Sequence, residues 1–574
     1  MKKPLRSKFR IRLWQLHLEL KRRYCPTKIE SIFRAAYVRK KKSFCANAPL
    51  IVFQCVEYPF YLCLFGEIIW ALRNRTSVRA EMIVLRSLSS SANSSGLRQI
   101  FHAILRWASA NALSDRKWTS LYGAYANGIA YRSASLTNPW RELRIWIEAH
   151  RLWKKSQTAE ELASTIVQGV RIGDLVIDSY LRFRPSPALN VKDPYLRKVF
   201  RQALRDLYKA TTYFKRRRPA LYLTSYTSYV QHGIAARVAA NLGIHVQSFG
   251  SYLDFSKRIT SNDVCHERRF GNYCIEFSRL TDQLEKLAKA DLAFSARLNG
   301  HIDESIAFMK TSSYGRAKIE IPNVAGAAVI FLHDFFDSAH AYEWMLFHDF
   351  WEWVTFTINV LKGRGIRILL KPHPNEVAES SMVFDQLRSL YPTIEILPKN
   401  VSNRQLAEEG MLCAITMYGT VASEMAYLGV PAISCADNPS VSFDLPITAK
   451  SKQEYQSFLE NCANLSRDLP AMRRDACAFF YMHNLNSLPE ERELRDRFVR
   501  INKKMLEGAH QERWDADDIL GEFHNLSVAP GFAQFIERLL ESLIVGQDRR
   551  PGLTNDLDVI DGNDITHRQR NARV

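Results

Sequence analysis

A chain of 574 residues is longer than one hydrophobic core normally serves, so we expect two or three domains. Its hydrophobic content of 47% and aromatic content of 11% exclude an intrinsically disordered protein. The formal net charge of +20 suggests anionic partners. No Gly-x-Gly-x-x-Gly loop, Walker-type loop or nucleic-acid reader motif is present, which argues against a hydride-transfer enzyme, an NTPase and a nucleic-acid-binding protein.

The basic charge is concentrated at the amino terminus. Residues 1–43 hold fifteen Lys or Arg against two Glu, and apolar side chains are interleaved with them. This mixture predicts a basic amphipathic arm, residues 1–45, that binds an anionic membrane surface. A solvated helix packed on the body is the alternative interpretation. The longest apolar stretch, Leu50–Leu72, is interrupted by charges and proline, so no membrane span is expected.

The ten cysteines are scattered without a Cys-x-x-Cys pair. Cys265, His266 and Cys274 are near one another in sequence, but no fourth ligand is evident. We therefore expect no metal site and interpret the thiols as reduced core residues of a cytoplasmic protein.

From Leu50 onward, strand-like and helix-like segments alternate. Strands are predicted over 50–56, 82–85, 220–226 and 244–249. Helices are predicted over 60–72, 97–113, 195–218 and 229–242. This alternation indicates a parallel sheet covered by helices, and we place a Rossmann-like, acceptor-side domain at residues 46–320. No strand can be assigned within residues 115–160.

Three polar segments of this domain are candidates for the site. Asp174 occupies a predicted N-cap position, and Asp178 shares its helix face four residues on. The loop at residues 224–228 follows a predicted strand, the end at which ligands bind in open α/β sheets. This loop is therefore a candidate acceptor contact, and His232, near the start of the following helix, is interpreted as a capping or packed histidine. The polar segment 263–269 is expected to face a cleft.

A second set of strands predicts another Rossmann-like domain at residues 321–450. The predicted strands are 327–332, 366–370, 394–397, 412–415 and 432–435. A helix is predicted over 342–361, with an aromatic stripe that belongs to the core. Residues 451–545 are predicted to be helical, and residues 546–574 to be a loosely ordered tail.

The segment Lys371-Pro372-His373-Pro374 directly follows one of these strands. Its two prolines prevent a helix from starting, so His373 is expected on a short, stiff loop at the strand's carboxyl end. An imidazole there could carry a positive charge toward a phosphate.

A second segment, 416–431, turns through Gly419 into a predicted helix. Backbone N–H groups of Gly419 and Thr420 at a helix start suit a phosphate. Glu424 lies about one turn further on and could accept hydrogen bonds from the two hydroxyls of a ribose. Together with His373, these groups form a plausible set for a sugar nucleotide.

The two segments carry a family resemblance. Lys-Pro-His-Pro at 371–374, followed some forty-five residues on by Gly-Thr-x-x-x-Glu-x-x-x-x-Gly-x-Pro at 419–431, resembles bacterial capsule and surface-polysaccharide biosynthesis proteins. Those are GT-B glycosyltransferase-like enzymes, and several relatives transfer Kdo or sialic acid from a CMP donor. Phe-Leu-His-Asp-Phe-Phe-Asp-Ser at 331–338 and Gly-Asp-Leu-Val-Ile-Asp-Ser-Tyr at 173–180 are similar to that family as well.

The resemblance implies an α/β fold of GT-B type, with two Rossmann-like domains facing across a cleft and extra C-terminal helices. It also implies a metal-independent, inverting enzyme without a cofactor that moves a sugar from a nucleotide-sugar donor to a surface polysaccharide or glycolipid at the inner face of the cytoplasmic membrane. The expected donor-binding residues are Lys371, His373, Pro374, His333, Gly419, Thr420, Ser423 and Glu424.

An inverting transfer needs one general base on the acceptor side, for which Asp178 is the first candidate and Asp174 the second. Three alternatives remain open. They are a sugar-nucleotide 2-epimerase, a glycerophosphate-type transferase of similar fold, and a non-catalytic GT-B-like scaffold in polysaccharide assembly.

Overall fold

The computed structural model describes residues 24–38, 48–85, 88, 114–133, 138–268, 271–303, 306, 314–315, 317–340, 342, 344–374, 379–466, 468–509 and 514–548. Most of the predicted arm, the predicted helix 97–113 and residues 549–574 of the predicted tail lie outside this set.

The described residues of the first half of the chain form eight strands: β1 (Leu50–Cys55), β2 (Arg79–Val84), β3 (Gly128–Arg132), β4 (Ile166–Val167), β5 (Val170–Arg171), β6 (Leu221–Thr224), β7 (His245–Ser248) and β8 (Lys257–Ile259). Six of them form a sheet in the order β3-β2-β1-β6-β7-β8, parallel except for the β7–β8 pair. β4 and β5 pair separately. Without that pair, the order is the 3-2-1-4-5-6 of doubly wound nucleotide-binding folds.

Helices cover both faces of this sheet. They are α1 (Lys28–Val38), α2 (Pro59–Arg75), α3 (Ser114–Tyr122), α4 (Pro139–Lys155), α5 (Ala159–Ala163), α6 (Gly173–Phe183), α7 (Tyr195–Arg217) and α8 (Tyr229–Asn241). In β1, Ile51 and Phe53 pack into the core on the α2 side, and Val52 packs into the core on the α7 side. Because successive side chains of a strand point to opposite faces, a strand covered on both sides is mostly apolar, and in β1 the one polar residue, Gln54, is hydrogen-bonded to Thr224 and Ser225.

The second half of the chain repeats the pattern. Its strands are β9 (Ala328–Phe331), β10 (Ile368–Lys371), β11 (Glu395–Ile396), β12 (Cys413–Ile415), β13 (Ala432–Ser434) and β14 (Pro446–Thr448). They form a wholly parallel sheet in the order β11-β10-β9-β12-β13-β14, again 3-2-1-4-5-6. The predicted fold of two Rossmann-like units is therefore confirmed.

The helices of this half are α9 (Tyr273–Ser278), α10 (Gln283–Leu298), α11 (Phe350–Gly363), α12 (Ser380–Leu390), α13 (Asn403–Glu408), α14 (Val421–Tyr427) and α15 (Lys452–Glu460). The prediction of a helix from residue 342 is wrong at its start. Asp349 accepts a hydrogen bond from the Glu352 N–H at 2.7 Å, so it caps α11 and the helix begins at Phe350. The segment before it is irregular and contacts the first unit.

The carboxyl-terminal helices do not form one unit. They are α16 (Leu469–Phe480), α17 (Pro489–Ala509), α18 (Ala516–Ser527) and α19 (Pro530–Asp548). In α16, Phe480 stacks on Phe294 of α10, with 4.5 Å between ring centroids. The last three helices return to the first unit, where Phe498 and Phe523 lie 5.1 and 5.6 Å from the ring of Phe60 in α2. None of the described helices is both long and apolar enough to cross a membrane.

The part of the predicted arm that the structure describes is a packed helix. Phe33 and Tyr37 of α1 are buried, and the Tyr37 hydroxyl donates to Glu67 of α2 at 3.0 Å. Glu30 forms a buried ion pair with Lys117 of α3 at 2.7 Å. Helix α1 therefore packs one face on the core of the first unit.

We predict that Phe523→Ala destabilises the protein by about 3–5 kcal/mol, because it opens a cavity where α18 packs on α2. Phe523 is fully buried. The midpoint of guanidinium denaturation measures the effect. Val528→Ala, at a neighbouring position that is 64% exposed, is the control and should shift the free energy of unfolding by less than about 0.5 kcal/mol. Equal effects of the two substitutions would contradict the packing described.

Candidate functional site

The carboxyl ends of the two parallel sheets open on one cleft between the units. The cleft has a volume of about 690 Å³. The first unit contributes the loops after β1, β6 and β7, and the second contributes the loops after β9, β10 and β12. Ligands of open α/β sheets bind at this edge, at the point where the strand order reverses. The cleft is therefore the candidate site. Its lining includes Tyr58, Tyr226, Ser228, Gly250, His333, His373, Thr420, Ser423 and Glu424.

His373 lies two residues beyond β10 and lines the cleft, as the motif predicts. Burial, reinforced by the charge of Lys371, lowers the pKa of His373 to about 4. The sequence allowed this imidazole a positive charge, but with this pKa the ring is neutral at pH 7. A neutral imidazole can still donate one N–H to a phosphate oxygen.

Lys371 and Pro374 are not among the described residues that line the cleft. Lys371 is buried at the end of β10, with its Nζ 5.8 Å from the centre of the Phe331 ring. Burial lowers the pKa of Lys371 to about 8, which still leaves it mostly protonated at pH 7. It supplies positive charge from beneath the cleft.

His333 lines the cleft at the carboxyl end of β9. Its ring stacks on Phe350, with 4.8 Å between centroids and an interplanar angle of 10°. Its Nε2 lies 3.1 Å from Thr416 Oγ1, a distance at which the threonine hydroxyl can donate to it. Burial lowers the pKa of His333 to about 3, so this imidazole is also neutral.

The predicted phosphate site at Gly419 needs correction. The Gly419 N–H donates to Thr416 Oγ1 at 3.1 Å and is already satisfied. A Cβ at residue 419 would lie 2.8 Å from that oxygen, which explains the glycine. Thr420 is exposed and lines the cleft, whereas Ser423 lies in its wall and donates to the Thr420 carbonyl at 2.7 Å. The helix that follows, α14, has only seven residues.

Glu424 lies in the wall of the cleft with both carboxylate oxygens engaged. Oε1 accepts from the Tyr314 hydroxyl at 2.8 Å, and Oε2 accepts from Asn403 Nδ2 at 2.5 Å. Each oxygen keeps a second lone pair. These two partners come from distant segments, and the sequence motif did not predict them.

Asp174 is held in a buried ion pair. Its two oxygens accept hydrogen bonds from Nη1 and Nη2 of Arg237 on α8, both at 2.7 Å. Burial alone would raise its pKa, but Arg237 outweighs burial and lowers the pKa to about 2. The predicted N-cap role is wrong, because Ile172 occupies the N-cap and Asp174 lies inside the first turn.

Asp178 lies at the junction between the units. Its Oδ1 accepts from Nδ1 and from the backbone N–H of His340, at 2.8 and 3.3 Å. Burial raises the pKa of Asp178. Burial alone would lower the pKa of His340, but the Asp178 carboxylate raises it. Neither Asp174 nor Asp178 is among the described residues that line the cleft. Of the two predicted general bases, Asp174 thus joins α6 to α8, and Asp178 joins α6 to the second unit.

Only part of the predicted acceptor loop and of the residues that follow it reaches the cleft. Tyr226 and Ser228 line the cleft. His232 is packed beneath them, where its Nδ1 lies 2.5 Å from Gln54 Nε2 and burial lowers its pKa to about 3. His232 is therefore the packed histidine of the two readings.

Glu267 is a carboxyl group in the cleft that the sequence indicated only as part of a polar segment. Its Oε2 accepts from Ser251 Oγ at 3.4 Å, and its Oε1 lies 3.6 Å from Nε2 of His266. Its side chain is 25% exposed. Burial, together with repulsion from Asp254, raises the pKa of Glu267 to about 7. Such a group can accept or release a proton near neutral pH.

A second cavity of about 310 Å³ meets the cleft at Glu267 and Tyr342, which line both. Its other walls include Arg171, Asn262 and Cys265. Glu267 therefore lies where the two spaces meet.

Two further features of the cleft were not predicted. Arg182, on α6, lines it and extends an exposed guanidinium whose Nη1 is 3.4 Å from the Phe336 carbonyl. A π-helical turn, Tyr481–Leu485, brings His483 and Asn484 into the wall. Such turns have no clear sequence signature, although they are frequent at functional sites. Within the described part of the chain, no cluster of three or more His, Cys, Asp or Glu side chains could hold a metal ion.

No family model matches the chain, and no curated protein matches it. Among solved structures, it is similar to UDP-GlcNAc 2-epimerase of Methanocaldococcus jannaschii in complex with UDP-GlcNAc and UDP, at 13% identity and a TM-score of 0.23, over 74% of this chain and 97% of that one. The epimerase of Neisseria meningitidis bound to UDP-GlcNAc gives 11% identity and a TM-score of 0.20, over 76% and 99%.

The wall teichoic acid polymerase TagF gives 12% identity and a TM-score of 0.16, over 94% of this chain and 98% of that one. Likenesses this weak carry no argument about the site. The assignment of the fold rests on the two strand orders and on the cleft between the sheets.

We predict that Arg237→Met destabilises the protein by about 3–5 kcal/mol, because it removes the bidentate partner of the buried Asp174 carboxylate and leaves only the half-exposed Arg171 at 3.3 Å. Urea denaturation at pH 7 measures the loss. The double variant Arg237→Met/Asp174→Leu should recover most of it. A double variant as unstable as the single one would contradict this account.

The same pair predicts a pH dependence. The pKa of Asp174 is about 2 in the folded protein, below its ordinary 3.8. Its ion pair therefore adds stability above about pH 4 that is lost as the pH falls toward 2. The gap in unfolding free energy between the wild type and Asp174→Asn should shrink across that window. A gap that stays constant from pH 6 down to about pH 2.5 would contradict the assignment.

Proposed function

We propose that the protein is a GT-B-type glycosyltransferase that moves a sugar from a nucleotide-sugar donor to a bacterial surface polysaccharide or glycolipid. The observation that carries the proposal is the single cleft onto which both Rossmann-like sheets open their carboxyl ends. Its volume of about 690 Å³ falls in the ordinary range for sites of small ligands, about 300–1,000 Å³. A donor molecule and the reacting end of an acceptor can share it.

The donor would occupy the wall formed by the second unit. His373 donates an N–H to a donor phosphate, and the exposed Thr420 offers its hydroxyl and backbone N–H at the same wall. Lys371 beneath the cleft and Arg182 across it supply positive charge toward the phosphates. Glu424 uses its remaining lone pairs for ribose hydroxyls. Fixed donors and charges of this kind can stabilise a leaving phosphate without a metal.

Glu267 is the group best placed to act as general base, in place of Asp178. It lines the cleft, and its pKa of about 7 lets a large fraction ionise at neutral pH. The acceptor hydroxyl oxygen forms a bond to the anomeric carbon, and its proton passes to the Glu267 carboxylate. The bond from that carbon to the donor phosphate breaks, and its electron pair leaves on the phosphate oxygen. Attack opposite the leaving phosphate inverts the anomeric centre.

The acceptor would approach through the second cavity, because that cavity meets the cleft at Glu267. The hydroxyl to be glycosylated then passes Glu267 and enters the cleft, where its oxygen can contact both the Glu267 carboxylate and the anomeric carbon of the donor. The rest of the acceptor stays in the second cavity, away from the donor phosphates.

A thermal-shift panel of CMP, UDP, GDP and their sugar conjugates tests the proposal. A ligand at a hundred times its dissociation constant should stabilise the protein by about 2.7 kcal/mol. Release of free nucleotide that requires an acceptor distinguishes transfer from 2-epimerisation, in which the nucleotide stays attached to the sugar. If every nucleotide leaves the melting temperature unchanged, the proposal fails and the scaffold alternative gains support.

We predict that His373→Ala abolishes the stabilisation by the nucleotide that binds best and lowers turnover at least tenfold, while the unliganded protein melts within a few degrees of wild type. The reason is the position of His373 on a loop at the cleft. His524→Ala, on the exposed surface of α18, is the matched control and should change neither quantity. Turnover of His373→Ala within twofold of wild type would remove the phosphate role.

We predict that Glu267→Gln raises the unfolding free energy at pH 8 by about 1–3 kcal/mol and leaves it unchanged near pH 4. A carboxyl pKa raised from 4.5 to about 7 means that ionisation of Glu267 costs stability, a cost that is absent below pH 4.5 and complete above pH 7. Turnover should fall by about 10²–10⁴-fold over the same pH range. Glu276→Gln, at an exposed position outside both cavities, is the control.

A further inference from the structure

Helix α4 exposes its apolar side chains to solvent. Ile145 and Ala149 are fully buried on its inner side. On the opposite side, Trp140 is 78% exposed, Ile147 54% and Leu143 47%. These three residues recur at helical spacing and lie on one face. Adjacent exposed apolar side chains of this size mark an interaction surface more often than isolated ones do.

The same face carries basic charge alone. The exposed basic residues of α4 are Arg141, Arg144, Arg151, Lys154 and Lys155. The two acidic residues of the helix are turned toward α7. Glu142 pairs with Arg205 at 2.6 Å, and Glu148 accepts a hydrogen bond from the Tyr208 hydroxyl. Both carboxylates are thus engaged on the side of α7, and none of the residues of the outer face of α4 (Trp140, Leu143, Arg144, Ile147, Arg151 and Lys154) is acidic.

This combination has a specific physical partner. Helix α4 has 17 residues and exposes Trp, Leu and Ile among Lys and Arg. This pattern is typical of a helix that lies in a membrane interface. Long basic side chains can keep their charges at the lipid phosphates while their stems and the apolar residues sink toward the acyl chains. A dry protein interface would instead bury several cations without counter-charges, which is costly.

Helix α10 shows that exposed apolar residues alone do not make such a surface. Leu284 and Leu292 on α10 are 84% and 76% exposed, about as much as Trp140 and more than Leu143 and Ile147 on α4. The exposed Glu285 and the partly exposed Asp291 stand beside them, and Asp291 forms an ion pair with Arg473. A surface of mixed sign gains little from an anionic bilayer.

We propose that the outer face of α4 docks on an anionic lipid bilayer, with the helix lying along the membrane surface. Trp140, Leu143 and Ile147 enter the boundary between headgroups and acyl chains, and the basic residues contact lipid phosphates. The inference does not depend on the proposed reaction, and it assigns membrane contact to a folded surface of the first unit, apart from the amino-terminal arm.

The test is co-sedimentation of the full chain with vesicles. The probe vesicles contain about 30% phosphatidylglycerol in phosphatidylethanolamine, and vesicles of phosphatidylcholine alone are the neutral comparison. The wild type should sediment with the anionic vesicles at low salt, remain in solution with the neutral ones, and be largely released at about 1 M salt, where the Debye length is ~3 Å.

Two variants address the surface directly. Arg144→Glu/Arg151→Glu/Lys154→Glu should lower the partition coefficient by at least about 100-fold, because each basic residue near the surface contributes roughly a fivefold factor. Trp140→Ser/Ile147→Ser should lower it by about tenfold or more through lost apolar burial. Leu284→Ser/Leu292→Ser removes equally exposed apolar residues elsewhere and should leave binding unchanged. All these residues are exposed, so folding is preserved, which circular dichroism checks.

The amino-terminal arm is tested separately with Lys8→Glu/Arg10→Glu/Arg12→Glu, which reverses the same number of charges. Binding that survives both α4 variants and is lost in the arm variant would overturn the proposal. So would a full chain that never sediments with anionic vesicles. A change in molar mass by light scattering in the Trp140→Ser/Ile147→Ser variant, with lipid binding intact, would show that the face contacts a second copy instead.

Discussion

The need of a parallel sheet to be covered on both faces determines how this chain is arranged. Strands β1 and β6 lie in the middle of the first sheet, and their apolar side chains pack into cores on both faces, so helices must cover both. On one face, the cover is completed by helices from the far end of the chain, where Phe498, Phe523 and Phe535 join the aromatic cluster around Phe60. The carboxyl terminus therefore returns to the first unit after the second has been completed. This return passes along one wall of the cleft and supplies Phe498 and Asn502 to its lining.

The contact between the units is polar and directional, unlike the cores. Asp178 accepts from His340, Asp349 Oδ2 accepts from the Leu189 N–H at 2.8 Å, and Asp337 accepts from the Tyr229 hydroxyl at 3.0 Å. Each bond joins one unit to the other through an acidic side chain. Polar contacts of this kind fix orientation with little net stabilisation, so they can break and re-form when domains move. Asp178, which the sequence suggested as a general base, is therefore one of the carboxylates that fix the orientation of the two units around the cleft.

Most strands could be predicted because their residues are apolar without interruption, as in Ile51 to Phe53 and Ala328 to Phe331. Strand β3 could not, since it is a half-exposed edge strand with a mixed pattern. The start of α11 was missed because Trp344 and Phe347 continue a helical spacing, whereas the cap at Asp349 depends on a hydrogen bond that propensity does not reveal. The position of His373 at a strand end was predictable because the apolar run of β10 stops two residues before it.

The charge of each group in the cleft was beyond sequence reasoning, because it depends on what distant segments bury. His333 and His373 lie in strand-end loops typical of binding sites, yet burial holds both imidazoles neutral. The pKa of Glu267 is instead raised, to about 7, so a large fraction of this carboxyl group is protonated at neutral pH.

Desolvation thus acts on the histidines and on the carboxyl group alike, and each is shifted toward its uncharged form. The neutral imidazoles are fixed hydrogen-bond donors, and fixed donors require little solvent reorganisation when a negative charge arrives. That property suits a phosphate leaving group. Lys371 is buried under the cleft, and its pKa of about 8 leaves it mostly protonated at pH 7. It can therefore supply positive charge to that phosphate without facing the solvent.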